Sequence, residues 1–134
     1  MIALDTNVVV RVVTDDDPEQ LVAAVEVMRS ESLWLAKSAL LETEWVLRFT
    51  YRLGRETIAR TFEKLLGYRN LRVEDPAAVG RALGCYAQGM DFAGALHLAS
   101  SGEAERFATF DRNLAETASR IGAAPSVDLL RTGE

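Results

Sequence analysis

The sequence is short of cysteine, histidine, lysine and proline. Cys85 is the only cysteine in 134 residues, so no internal disulfide can form and nothing argues for an oxidising compartment. His97 is the only histidine, and neither it nor Cys85 has a partner at ligand spacing, which disfavours zinc; on a largely apolar helix, His97 reads as a packing residue or a donor to a neighbouring group. No apolar run approaches the roughly 18 residues that a membrane span requires. The N-terminus reaches Asp5 before a signal-like stretch could develop, so a cytoplasmic protein with no membrane partner is expected. There is no G-x-S-x-G elbow and no glycine-rich phosphate loop, which disfavours serine hydrolases, nucleotide-triphosphate enzymes and dehydrogenases. Only Lys37 and Lys64 are lysines, and the net charge of −5 argues against a broad basic nucleic-acid surface. A local patch is still open, because Arg48, Arg52, Arg55 and Arg60 lie close together and arginine suits bidentate phosphate contacts. Solvated helix faces are the simpler account of any one of them.

What is present is ordinary for one globular domain, expected over residues 1–134: hydrophobic residues are 49% and charged residues 26%, with no repeat or linker. Ile2-Ala3-Leu4 reads as a short buried strand that stops at Asp5-Thr6-Asn7, and the valine-rich stretch 7–14, which includes Arg11, reads as a buried helix. Asp15-Asp16-Asp17 resembles an acidic metal site, but Asp17-Pro18-Glu19-Gln20 has the grammar of a helix start: N-cap, first-turn proline, acid and capping box. That helix runs to about Arg29 with Leu21, Ala24, Val25 and Met28 inward.

Leu33–Ala36 fits a second buried strand, followed by a helix from a Ser38 cap to about Leu53, with Gly54 as terminator. On that helix Glu42 shares a face with Trp45, Val46 and Phe49, an unusual place for an acid. A helix over 55–68 turns Ile58, Phe62, Leu65 and Leu66 inward, Leu71–Val73 is a third strand, and Asp75-Pro76 opens a helix through Gln88. Asp91 begins another helix, Arg106–Phe110 is a fourth strand ended by Asp111, and Ser126–Leu130 supplies a fifth after the helix that stops at Gly122. Alternating strands and helices predict an α/β fold with a parallel sheet covered on both faces. In such sheets ligands bind at the carboxyl edge of the strands, so Asp5, Glu42, Asp91 and Asp111 are expected at one edge.

Four carboxylates in one pocket repel one another unless a cation joins them. Mg²⁺ or Mn²⁺ takes oxygen ligands together with substrate phosphate oxygens, and such a site suits phosphodiester hydrolysis by metal-activated water.

The segments Ile2–Asn7, Ser38–Glu42, Asp91–Ala99 and Thr109–Asp111 together resemble the successive motifs of a PIN-domain ribonuclease, most closely the VapC toxins of toxin–antitoxin pairs. The resemblance spans nearly the whole chain in order. It implies a three-layer α/β/α sandwich around a parallel sheet of four to five strands. It also implies a Mg²⁺- or Mn²⁺-dependent endoribonuclease, usually a homodimer, that acts on RNA and is blocked by a cognate VapB antitoxin. By matching motif, Asp5, Glu42 and Asp111 are the metal-binding and catalytic carboxylates, Thr6, Asn7 and Thr109 are supporting pocket residues, and Asp91 is a further acid frequent in this subgroup.

One position departs from the pattern. Gly94 stands where the family typically carries an aspartate, and glycine inside a helix is disfavoured by about 1 kcal/mol relative to alanine. Three readings follow: a substitution that disarms a toxin, a naturally degenerate member, or a metal site for which Asp91 suffices. The competing function is a non-catalytic PIN-like module that binds antitoxin or RNA. A phosphotransferase of the haloacid-dehalogenase type also places an aspartate after its first strand, but needs a second two residues later, where this chain has Asn7.

Overall fold

The structure, a computed structural model, describes residues 1–132. Its chain divides into two compact units, Met1–Pro76 and the residues from Ala77 onward.

The first unit is built on three parallel strands in the order β1 (Ile2–Ala3), β2 (Leu33–Leu35), β3 (Leu71–Val73). Ile2 pairs with Leu33, and Leu33 in turn with Leu71, so β2 is central and its Leu33 and Leu35 are fully buried. The helices α1 (Thr6–Thr14), α2 (Pro18–Met28), α3 (Lys37–Phe49) and α4 (Arg55–Leu66) complete the unit, with α1 against both α2 and α3 and α4 against α3 and β3. The expected cap at Asp17 is present: its carboxylate accepts from Gln20 N at 3.1 Å with Pro18 at the first helical position.

The second unit holds a parallel pair, β4 (Arg106–Thr109) with β5 (Ser126–Leu129), and the helices α5 (Pro76–Ala87), α6 (Phe92–Ala99) and α7 (Arg112–Ile121). Its core includes Tyr86 edge-on to Phe92 at 5.3 Å, with Met90 and Leu98 also buried. Gly122 ends α7 at φ 68°, a left-handed cap that glycine adopts without strain. No described helix is long and apolar enough to cross a membrane.

The α/β alternation thus holds, and all five expected strands are present. They form a three-stranded and a two-stranded sheet rather than one of four to five strands. Other expectations need correcting. In β1, Ile2 is 45% exposed and Ala3 is exposed, leaving only the following Leu4 buried; a two-residue strand is too short for its apolar character to report burial. On α2, Val25 is exposed and only Ala24 is fully buried. Helix α3 begins at Lys37, not at a Ser38 cap. Its N-cap Ala36 offers no side-chain acceptor, and Glu74 instead accepts from Lys37 N at 2.9 Å from just beyond β3. Helix α3 also ends at Phe49, and Gly54 becomes the N-cap of α4.

The inward face of α3 is Leu40, Thr43, Glu44 and Leu47, whereas Trp45 and Phe49 are each 53% exposed. The two aromatic rings pack on each other at 4.9 Å, and the Arg48 guanidinium lies 4.5 Å from the Phe49 ring. The acid on the buried face is therefore Glu44, held by Arg48 at 2.8 and 3.3 Å, and Glu42 is exposed. His97 is exposed as well, not packed.

Candidate active site

In the first unit, β1 delivers Asp5 to the start of α1, where it is the N-cap, its Oδ1 accepting from Thr6 N at 2.8 Å. The next residue fixes a second acid. The buried Thr6 hydroxyl donates to Glu42 Oε1 at 2.5 Å, tying α1 to the second turn of α3. Thr6 therefore anchors both carboxylates, by its amide and by its hydroxyl. Each keeps its other oxygen, Asp5 Oδ2 and Glu42 Oε2, without a hydrogen-bond partner among the described residues. Both acids line an open cleft of about 330 Å³ with Thr6, Asn7, Arg11 and Tyr51.

One rim of this cleft is a network that the sequence did not disclose. Arg11 Nε donates to Gln20 Oε1 at 2.5 Å, and Nη1 donates to Asp16 Oδ1 at 2.9 Å and to the Tyr51 hydroxyl at 3.0 Å. Tyr51 donates in turn to Asp16 Oδ2 at 2.7 Å, and Thr14 donates to Asp16 Oδ1 at 3.0 Å. Hydrogen bonding from Tyr51, aided by Thr14 and the Arg11 charge, holds the Asp16 carboxyl below its ordinary value of 3.8. The hydrogen bond with Tyr51 raises the Arg11 guanidinium further above its ordinary range. The available signal was Arg11 itself, a lone cation in a valine-rich helix.

In the second unit, Asp91 and Asp111 occupy equivalent local positions. Asp91 caps α6 through Gly94 N at 2.9 Å, and Asp111 caps α7 through Leu114 N at 3.1 Å. Thr109 Oγ1 accepts from Asp111 N at 3.0 Å, fixing the turn between β4 and α7. A Cβ on Gly94 would lie 2.4 Å from Leu114 Cδ1 and 2.7 Å from Asp91 Oδ1, both ends of side chains that would have to shift to admit it. A larger cavity of about 900 Å³ in this unit, lined by Arg81, Cys85, Gln88 and Leu98 among others, includes neither Asp91 nor Asp111.

Among the described residues, no group of three or more His, Cys, Asp or Glu side chains is placed to hold a metal ion. The donor pair of Asp5 and Glu42 nonetheless has the chemistry that Mg²⁺ or Mn²⁺ uses: hard oxygens, one or two carboxylates, and open space for water and substrate oxygens.

The family profile of the PIN domain matches residues 2–120. The chain belongs to the PIN domain family. Curated proteins and solved structures give no match. PIN domains are a nuclease fold, typically metal-dependent, and the matched region contains every acid discussed above, from Asp5 to Asp111.

Proposed function

We propose that this PIN domain is a Mg²⁺- or Mn²⁺-dependent endoribonuclease of the VapC toxin type, hydrolysing RNA phosphodiester bonds and inhibited by a VapB-type antitoxin. The observation that carries the reading is the Thr6 anchor, which orients Asp5 and Glu42 in one cleft while leaving one oxygen of each uncommitted. Asp5 and Glu42 would hold the cation, which when bound lowers the pKa of water and offsets charge on the phosphate. Thr6 keeps both carboxylates from turning toward protein donors, Asn7 lines the same cleft, and Asp91 and Asp111, the latter set by Thr109, are assigned to the reaction by their motif positions. The resemblance to VapC toxins supports RNA, a second copy of the chain and the antitoxin as partners.

The test is cleavage of a panel of cellular RNAs with Mg²⁺, Mn²⁺ or chelator, for the chain as it stands and for Asp5→Ala. Metal-dependent cuts that vanish in Asp5→Ala support the reading. Cutting that survives Asp5→Ala would remove it.

The second reading, a non-catalytic module that binds antitoxin or RNA, is favoured by Gly94, whose missing side chain leaves a place filled by Leu114 and the Asp91 cap. It expects binding without cleavage in every metal. A short upstream reading frame encoding a DNA-binding antitoxin supports the toxin assignment under either reading.

A further inference from the structure

Arg11 is held by more contacts than its place on α1 requires. A helix rise of 1.5 Å per residue puts it about 9 Å along the axis from Asp5, and both residues line the same cleft. Its Nε and Nη1 bonds to Gln20, Asp16 and Tyr51 tie the end of α1 to the start of α2 and to the segment after α3. That structural tie uses Nε and Nη1, the two nitrogens on either side of Nη2, one on each edge of the guanidinium. The remaining nitrogen, Nη2, has no hydrogen-bond partner among the described residues. Asp16 is committed on both oxygens, to Arg11 and Thr14 on Oδ1 and to Tyr51 on Oδ2. The outcome is a planar donor fixed in rotamer, with its fork partly unspent, beside two carboxylates whose charge an incoming polyanion must overcome.

We propose that Arg11 is a substrate-positioning residue, its Nη2 donating to a non-bridging oxygen of an RNA phosphodiester lying in the Asp5–Glu42 cleft. This rests on the nuclease reading and adds to it the residue that would hold the strand. Gln20, Asp16 and Tyr51 act through Arg11 by fixing its plane, so that little side-chain entropy is lost on binding.

The experiment is the affinity of the full chain for a short single-stranded RNA across a salt series, in chelator so that metal-dependent cutting does not compete, and again with Mg²⁺. One phosphate contact on a single strand contributes about 0.7 to the slope of log affinity against log salt. Arg11→Gln is expected to lose about that much slope and to bind about tenfold more weakly at low salt. Arg11→Lys should recover slope through its charge without restoring full affinity. Gln20→Ala frees the plane of Arg11 without removing its charge, so it should weaken binding less than Arg11→Gln does and leave the slope intact. A parental slope in Arg11→Gln, or the same slope loss in Gln20→Ala, overturns the inference while RNA binding stands. Failure of the parent chain to bind RNA in either buffer overturns the RNA-binding reading and this inference with it.

Discussion

At Gly94, two opposing terms of similar size decide what a side chain would do. Alanine gains about 1 kcal/mol in helix propensity, but its methyl group would meet Leu114 Cδ1 at 2.4 Å and Asp91 Oδ1 at 2.7 Å. Overpacking a filled site costs about 1–3 kcal/mol, and here it also presses on the carboxylate that caps α6. Both atoms end flexible side chains, so part of the clash relaxes, and Gly94→Ala is expected to lower stability by no more than about 1 kcal/mol in a urea titration. Gly94→Asp, the exchange that would supply the family's acid, carries the same penalty before any gain in activity. In a Leu114→Ala background the cost of either should shrink, giving a coupling of about 0.5–3 kcal/mol in a double-mutant cycle. A Gly94→Ala protein more stable than the parent would mean that Leu114 yields freely and that the packing account is wrong. The sequence alone made Gly94 look like a loss with no local context, because the side chain that fills the space beside it, Leu114, lies 20 residues away on another helix.

Among helices and strands, what could be read from the chain was whatever is decided by neighbours in sequence. Asp17-Pro18 marked the start of α2 correctly since cap and first turn are four consecutive residues. The start of α3 was misplaced because its acceptor, Glu74, comes from beyond β3, and the inward face of α3 was misjudged because Trp45 and Phe49 satisfy helical spacing yet pack on each other in the open. Glu74→Ala should accordingly cost α3 about 0.5–2 kcal/mol, the range of a lost N-cap, with Glu74→Gln retaining most of it; equal stability of the alanine variant and the parent would show that water replaces this acceptor at no cost.

The Asp16 network makes an element-level prediction about pH. Its folded carboxyl titrates below the unfolded one, chiefly through the Tyr51 hydrogen bond, so the stabilisation is complete above the ordinary value of 3.8 and is lost as pH falls through the lowered one. The parent should lose stability over this acid range more steeply than Asp16→Asn or Tyr51→Phe, as followed by urea midpoints from pH 6 downward. Parallel curves for all three would dissociate the network from acid stability.

For the chain as a whole, composition and alternation were enough to indicate an α/β protein, and four separated motifs were enough to indicate the PIN family, since each is a strand end or a helix start that local sequence sets. The division of the strands into a three-stranded and a two-stranded sheet was not legible, because strands of two to four residues carry too little pattern to specify their neighbours. Function at this scale can be tested without any substrate. A ligand that binds only the folded chain stabilises it by RT ln(1 + [L]/Kd), about 2.7 kcal/mol when present at a hundred times its dissociation constant. If Asp5 and Glu42 hold a divalent cation, Mn²⁺ or Mg²⁺ should raise the melting temperature of the parent progressively with concentration, and chelator should reverse the rise. Asp5→Asn keeps an acceptor for Thr6 N, and so the cap, but removes the charge, so its melting temperature in chelator should match the parent's while the response to metal is lost. Thr6→Val leaves both carboxylates in place but removes the hydroxyl that orients Glu42, and should retain a weaker response. A metal response of the same size in Asp5→Asn would move the cation away from this cleft.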